Sequence, residues 1–319
     1  MPDSRFQQAE RGVQQLFSKT SLFSYLALAI LLLAIHFWFR AMPSRSDRPE
    51  RSATVQFIPV QLDPAGFAPL RLAGAWSVEV ADPRFGGVSA LAIDRDRLLA
   101  ITDSGSAVWL PRPGRTGKAI IRDLPGGPGN SSFKSNRDSE ALARDPLGRG
   151  WWIAFERWNQ AWLYDAGFRR PLAKFELGID RWPQNRGIEG LVAQGGDLIL
   201  FPESGDEWLF VRKGIVTGHP LASSFGYVAD ALRLPNGRIL LVTRQVTASG
   251  LVKRLVEAKN IEGGGLSLSE VAVLPLGATD NIEGITAEPR ADGGTRLWLV
   301  TDNDFRPRKA TLLVALDLP

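Results

Sequence analysis

Residues 185–207 read NRGIEGLVAQGGDLILFPESGDE and predict a short hairpin. Each of its two strands has a carboxylate at the end farthest from the turn. Glu189 begins one apolar run, Glu203 closes the next, and Gly195-Gly196 lies between them as a turn. Residues equidistant from a hairpin turn face each other across an antiparallel pair, so we expect both carboxylates at one end of this hairpin. Paired carboxylates supply the oxygen ligands that hard divalent cations prefer.

The same pattern recurs along the chain and predicts a repeat architecture. Five segments share a small or acidic residue, then Gly or Ala, Leu or Ile, a turn, and an apolar strand with a polar end. A spacing of about 40–50 residues with several short strands per unit is typical of propeller blades, so the predicted fold is an all-β propeller. The equivalent first positions are Ser89, Glu140, Glu189, Asp230 and Glu283.

We predict six blades, with the sixth shared between the two ends of the chain. Strand-like segments at 55–62 and 70–80 have no unit of their own, and the last strand, at 311–318, can pair with them. Such pairing closes the ring and leaves fewer strand edges exposed. The spacing is also compatible with five or seven blades.

The polar ends of the second strands predict a ring of carboxylates around one mouth of the propeller. Like charges gathered in this way repel each other unless arginine or a cation pairs with them. An oxygen-rich site suits Ca²⁺ or another divalent cation. A single strand-end acid can equally cap a turn or pair with arginine, whereas the whole cluster favours a functional mouth. The predicted metal ligands are Asp103, Glu140, Glu156, Glu189, Glu203, Asp230, Glu283 and Asp302.

The composition excludes several kinds of active site. The 319 residues contain no cysteine, which excludes a thiolate nucleophile and a Cys-ligated zinc. One of the two histidines, His36, lies in an apolar segment and the other, His219, in a predicted turn, which excludes a multi-histidine zinc site. No G-x-S-x-G elbow is present, which favours metal and water over a serine nucleophile. The net charge of +4 comes with no Lys/Arg run, so nucleic acid is not an expected partner.

An uncharged apolar segment of 18 residues lies near the N-terminus, at 22–39. At about 1.5 Å per residue it is about as long as the hydrocarbon core of a bilayer is thick. We predict a tail at 1–20, a transmembrane anchor or uncleaved signal at 21–40, a linker at 41–52 and the propeller at 53–319; a cleaved signal peptide is the alternative. The expected location is a bacterial inner membrane, crossed once, with the propeller in the periplasm.

Several motifs make the sequence similar to the phytase-like β-propeller family, described as "esterase-like activity of phytase". They are GGVSALAI, NRGIEGL, VADALRLPNGRILLVTRQ, and DNIEGITAEP together with LVTDNDF, within about residues 86–318. The resemblance implies a six-bladed, usually exported propeller that hydrolyses phosphate or other esters. It also implies Ca²⁺ at an acidic mouth, as in the better-characterised β-propeller phytases. Ser89 departs from the acid of the other units, and a lysine-rich phosphate cradle is not evident.

One function consistent with these residues is a metal-dependent phosphoesterase or esterase. Carboxylates would hold a cation that activates water, and arginines would bind the phosphate of a small phosphorylated or esterified substrate. Arg137 and Arg157 are further candidates for phosphate contacts. The predicted catalytic residues are Glu189, Glu283, Arg186 and Arg244.

The other function is a non-catalytic binding or scaffold module of the cell envelope. Trp158 and Trp182 lie in predicted loops and are the candidate contact residues for such a module. A propeller fold alone does not separate the two functions, since one fold serves many activities. The sequence leaves the oligomeric state open.

Overall fold

The computed structural model describes residues 24–32, 48–177, 182, 186–248, 250–260, 265–277, 280–306 and 308–319. The chain divides into two compact units, Met1–Pro43 and Ser44–Pro319. The first contains a helix at 24–32, and the rest of the predicted 21–40 anchor lies outside the described residues. No helix in the described part of the chain combines the length and apolar character needed to cross a membrane.

Short strands make up most of the second unit, as the alternation of apolar runs with Gly, Pro, Asp and Asn predicts. Two 3₁₀ turns accompany them, at Pro64–Phe67 and Lys134–Asn136. The first strands are β1 (Arg51–Pro59), β2 (Arg71–Val80), β3 (Val88–Asp94), β4 (Arg97–Thr102), β5 (Ser106–Leu110), β6 (Lys118–Asp123), β7 (Ser139–Arg144), β8 (Gly150–Phe155), β9 (Gln160–Asp165) and β10 (Pro171–Glu176). They are followed by β11 (Ile188–Gln194), β12 (Asp197–Pro202), β13 (Glu207–Arg212), β14 (Ile215–Pro220), β15 (Tyr227–Arg233), β16 (Ile239–Thr247), β17 (Gly250–Asn260), β18 (Leu266–Val273), β19 (Asn281–Pro289), β20 (Thr295–Asp302) and β21 (Thr311–Leu318).

Antiparallel hairpins form the centre of the propeller, and the prediction of an all-β fold is confirmed. The five inner hairpins among the described residues are β3–β4, β7–β8, β11–β12, β15–β16 and β19–β20. Their first strands follow one another around a closed ring, in which β19 lies beside β3 again. One apolar cluster fills each of the five junctions; Leu99 of β4 and Trp151 of β8, for example, belong to the same cluster.

The predicted sixth blade is not formed by the described residues. The predicted pairing of the last strand with the segment at 70–80 is confirmed, because β21 pairs with β2. However, β21 also pairs with β20, which makes β2 the fourth strand of the blade that begins with β19. β1 then pairs with both β2 and β6 and joins two blades into one nine-stranded sheet. The two ends of the chain therefore close a ring of five inner hairpins.

Each inner hairpin contains a bulge near its open end, where one residue of the first strand has no partner in the ladder. A bulge bends the strand and turns the side chain of the extra residue in a new direction. These open ends all lie at the same mouth of the ring. The extra residues are Ser89, Glu140, Glu189, Ala229 and Glu283.

Candidate metal and ester site

A cavity of about 450 Å³ opens at the mouth where the hairpins end. Seven of the eight predicted metal ligands line it, and so does Asp304, to which the sequence assigned no role. The structure therefore brings most of the predicted acids together at one cavity. The seven are Asp103, Glu140, Glu156, Glu189, Glu203, Glu283 and Asp302.

The bulges correct the predicted pairing of these acids across each hairpin. The backbone N–H of Glu203 donates to the carbonyl of Gly187 at 3.0 Å, so Glu203 faces Gly187 and not Glu189. Glu156 faces Asp138 in the same way, at 3.0 Å. In both hairpins the acid of the first strand is the unpaired residue of the bulge. The residue that faces the acid of the second strand therefore lies two positions earlier in the first strand. Both acids still point into the cavity.

The tightest group of acids is Asp138, Glu140 and Glu156, whose carboxylate oxygens lie within 4.8 Å of one another. Asp138 is a site residue that sequence reasoning missed. The signal was present, since Asp138 stands two residues before Glu140 in D-S-E and alternate strand residues share a face. Lys134 donates through Nζ to Asp103 at 2.6 Å and to Asp138 at 3.4 Å, and supplies part of the positive charge at this side of the mouth.

Asp230 is the predicted ligand that the structure places outside the cavity. In its hairpin the bulge falls at Ala229, one residue earlier than in the aligned units, and this shift turns Asp230 to the other side of the strand. Its carboxylate is 1% exposed and accepts backbone N–H groups from Ala231 and from Ile285 of the next blade, both at 2.7 Å. Asp230 therefore joins two blades.

The Asp230→Asn variant separates this joining role from a ligand role. An amide keeps only one acceptor oxygen, so one of the two backbone N–H groups loses its partner. We expect the free energy of unfolding to fall by about 1–3 kcal/mol. Ca²⁺ affinity, measured by calorimetry on the same variant, is expected to stay at the wild-type value. A lost Ca²⁺ response in a stably folded variant would place Asp230 among the ligands after all.

Arg244 is the one predicted arginine that the structure places in the acid cavity. Its guanidinium donates to Glu203 at 3.0 Å, to Asn281 at 3.1 Å and to Glu283. The side chains of Arg244, Glu203 and Glu283 are less than one-fifth exposed. Burial opposes the charge of Arg244, but Glu283, Glu189 and Glu203 outweigh it and raise the pKa of Arg244. Arg244 therefore neutralises one wall of the cavity.

The other arginines lie away from this wall. Arg186 lines a neighbouring cavity of about 640 Å³, which shares Glu203 with the acid cavity, and its guanidinium lies 5.7 Å from the ring of Tyr227. Arg137 is 2% exposed and donates to the carbonyl of Pro128 at 2.6 Å. Arg157 is exposed at the surface. The structure thus brings Arg244 and the acids together and leaves these three outside.

Both predicted contact tryptophans have polar partners. The indole N–H of Trp158 donates to Asn136 at 3.0 Å, and that of Trp182 donates to Glu207 at 3.0 Å. Trp182 lines the cavity that contains Arg186, whereas Trp158 is 43% exposed.

Several acids of the cavity have a raised pKa and hold protons more strongly than free carboxylates, among them Glu140, Glu156, Glu189 and Asp302. Burial raises the pKa of Glu140 and of Glu189 well above the usual range, and the negative charge of neighbouring acids raises each further. Burial also raises the pKa of Glu156 to about 7 and that of Asp302 to about 7. Such shifts arise where carboxylates share a low-dielectric site with too few positive charges.

The donor set fits a hard divalent cation. Asp138, Glu140 and Glu156 offer only carboxylate oxygens, the ligand type of Ca²⁺ and Mg²⁺, and they lie close enough together to share one ion. A cation would also relieve the repulsion that raises the pKa of Glu140 and Glu156. The residues present are therefore suited to hold an ion of this class.

Comparison with known proteins identifies the family of this chain. Residues 83–305 match the phytase-like family, described as esterase-like activity of phytase. The chain belongs to the phytase-like family. No curated protein sequence matches this phytase-like chain.

Solved structures similar to the phytase-like chain include β-propeller proteins. The glutaminyl cyclase of Myxococcus xanthus is 13% identical, with a TM-score of 0.50 over 78% of this chain and 97% of that one. The β-propeller domain of Cps50 (Swd1) from Myceliophteria thermophila is 12% identical, with a TM-score of 0.42 over 79% of this chain and all of the other. At these identities the likeness concerns the fold alone.

Proposed function

We propose that this phytase-like chain hydrolyses phosphate or other esters with the help of a divalent cation, Ca²⁺ first among the candidates. The observation that carries the proposal is the convergence of seven predicted acids on one cavity of about 450 Å³. Three carboxylates, those of Asp138, Glu140 and Glu156, lie within 4.8 Å of one another and would hold the ion. A bound divalent cation lowers the pKa of water and attracts phosphate oxygens.

Glu189 and Glu283 are the residues of the chain best placed to move protons. Glu189 is 5% exposed and lines the cavity, and burial raises its pKa well above the usual range. A carboxyl group that stays protonated near neutral pH can donate to a leaving alkoxide, and its conjugate base can accept a proton from water. Arg244 holds Glu283 in place and keeps its charge balanced.

The charge of the mouth sets an order of binding. Eight acids line the cavity together with one arginine, so a phosphate dianion is repelled from it without added positive charge. The cation must therefore bind before an anionic substrate does. A neutral carboxylic ester does not face this barrier, so the cation dependence of its hydrolysis separates the two classes of substrate.

Turnover of the full-length chain on p-nitrophenyl phosphate and p-nitrophenyl acetate, with Ca²⁺ and with a chelator, tests the proposal. The double variant Glu140→Gln/Glu156→Gln removes charge from the candidate ligands. We expect phosphate hydrolysis to fall by about 100-fold or more in this variant and in chelator. Glu257→Gln is the control, since Glu257 pairs with Arg238 on another part of the surface. Hydrolysis that persists equally in chelator and in the double variant contradicts the metal mechanism.

A binding or scaffold module is the second candidate function. The placement of Arg137, Arg157 and Arg186 outside the acid cavity favours it, because a phosphate clamp of several arginines is not assembled there. Ca²⁺ binding without turnover on either ester, in the assay above, is the outcome that supports this function.

Membrane attachment and a periplasmic position belong to the same proposal. They rest on the 18-residue uncharged segment at 22–39, which is followed by a polar linker. Protease added to intact spheroplasts is expected to remove the propeller while membrane fractions keep the N-terminal segment. A propeller that is protected in spheroplasts and cut only after lysis contradicts this location.

A further inference from the structure

The face of the propeller opposite the mouth carries a concentration of arginine around the turn between β3 and β4. Arg95 and Asp96 form this turn. Asp94, just before the turn, is the cross-strand partner of Arg97, just after it. A cavity of about 660 Å³ lies on one side of the turn and one of about 820 Å³ on the other, and both are lined by Arg95 and Arg97. We call these two cavities, together with the turn, the arginine groove.

The arginine groove has more positive than negative charge. Eight arginines and four acids line its two cavities. Arg97 donates to the backbone carbonyl of Lys118 at 2.9 Å and to that of Trp109 at 3.4 Å, and no carboxylate among the described residues pairs with it. In the described part of the chain, the guanidinium groups of Arg95 and Arg169 have no carboxylate partner within ion-pair distance. These three guanidinium groups remain available to an anion.

Two further arginines of the groove lie against aromatic rings, and each also pairs with one carboxylate. Arg122 lies 5.7 Å from the ring of Trp109 and also donates to Glu50 and to the carbonyl of Gly167. Arg144 lies 4.8 Å from the ring of Trp151 and donates to Asp94 at 3.4 Å. Stacking on an aromatic face fixes the plane of a guanidinium and keeps its N–H groups free for oxyanions.

Arg122 and Arg169 lie near each other at the same cavity. Burial lowers the pKa of Arg122 and the positive charge of Arg169 lowers it further, while the nearby carboxylate of Asp165 offsets part of this shift. Both residues line the 660 Å³ cavity. Two like charges held together in this way are stabilised by an oxyanion between them, which can accept forked hydrogen bonds from both.

We propose that the arginine groove binds an anion that carries phosphate groups, through Arg95, Arg97 and Arg169 with Arg122. Phosphate is the group whose geometry the guanidinium fork fits, and the two cavities on either side of the turn suit an anion with more than one phosphate group or two separate phosphate groups. This chemistry is shared by an inorganic polyphosphate chain and by the headgroup of an anionic lipid. The site is separate from the acid cavity, and the proposal does not depend on hydrolysis there.

Titration calorimetry on the full-length chain tests the arginine groove, with sodium tripolyphosphate and dihexanoyl phosphatidic acid as probes. A chelator is present throughout, so the acid cavity holds no cation and cannot take part. The variant Arg95→Gln/Arg169→Gln removes two exposed charges. Arg233→Gln is the matched control, because Arg233 is an exposed arginine just before the turn of the β15–β16 hairpin, on a different blade.

The expected result is that the wild type and Arg233→Gln bind at least one probe, with an affinity about 10-fold or more above that of the double variant, and that added salt weakens the binding. Loss of tripolyphosphate binding in the double variant identifies a free phosphate anion as the ligand. If the double variant loses only the binding of dihexanoyl phosphatidic acid, the ligand is the headgroup of an anionic lipid. Equal affinities of the wild type and the double variant for both probes, or no binding of either probe, overturn the proposal. Because Arg95 and Arg169 are exposed, the unfolding midpoint of the double variant should stay near that of the wild type.

Discussion

In the presence of a chelator, the free energy of unfolding of this propeller is expected to fall as the pH rises from about 5 to about 8, and Ca²⁺ is expected to remove most of that fall. Glu156 and Asp302 are responsible, since burial raises the pKa of each to about 7. Between their ordinary pKa values and about 7, the folded chain keeps both protons and the unfolded chain has lost them. The unfolded state then binds fewer protons, so stability decreases with rising pH across this window.

The size of the effect follows from the shifts. One pKa unit corresponds to about 1.4 kcal/mol, and solvent in the open cavity reduces the full value. We expect a total loss of about 2–4 kcal/mol, or roughly 5–10 °C in the unfolding midpoint for a domain of this size. Bound Ca²⁺ replaces the protons as the source of positive charge and so restores the midpoint at high pH.

Calorimetric scans at several pH values, in chelator and in Ca²⁺, measure both effects. Glu140→Gln/Glu156→Gln is expected to flatten the curve in chelator and to abolish the upward shift with Ca²⁺. The control Glu257→Gln is expected to follow the wild type, since the bond of Glu257 with Arg238 outweighs burial and lowers the pKa of Glu257. Stability in chelator that rises steadily from about pH 5 to about pH 8 contradicts the assignment of the protonated acids.

The repeat pattern predicted the inner hairpins and the mouth because both depend on local sequence. Each unit encodes its own strand, turn and strand, and an acid near the open end of any such hairpin must reach the mouth of a ring. The position of the bulge is not determined locally, because it depends on how the two strands of the hairpin pack against the neighbouring blades. Asp230 aligns with Glu189 by the residues that follow it, yet its bulge falls at Ala229 and its side chain points to the next blade.

Nearness in sequence to an acid was likewise a poor guide to the positions of the arginines. Arg137 precedes Asp138 directly, but it ends the 3₁₀ turn at Lys134–Asn136, and its side chain donates to the carbonyl of Pro128. Arg244 reaches the cavity because it lies at the open end of its own hairpin, opposite Tyr227. The described residues form no separate sixth blade for a similar reason, since β2 and β21 lie far apart in sequence and local sequence does not determine which strands they pair with.

Arg244→Gln is expected to be the most destabilising single substitution at the mouth, with a loss of about 3–5 kcal/mol in the free energy of unfolding at about pH 8 in chelator. The wild-type guanidinium bonds to Glu203, Asn281 and Glu283 in a site that is mostly buried. Removing it leaves two carboxylates without their cation, and an unpaired charge in such a site costs more than the pair contributes. Denaturant titration measures the loss, with Arg238→Gln as the control for a partly exposed arginine pair, expected to cost about 1 kcal/mol or less.

Two further measurements separate charge from packing as the origin of this loss. In Arg244→Gln/Glu283→Gln one of the two stranded carboxylates is also neutral, so we expect the double variant to recover about half of the lost stability. Ca²⁺ is expected to reduce the deficit of the single variant, because the ion supplies charge to the same wall of the cavity. If the double variant is as unstable as the sum of its two single variants, and Ca²⁺ does not help, Arg244 acts through packing and not as the resident counter-charge of the mouth. If instead the Glu283→Gln substitution and Ca²⁺ each restore stability to the Arg244→Gln variant, then Arg244 and the cation have the same role. Each supplies positive charge that offsets the repulsion among the acids of the mouth.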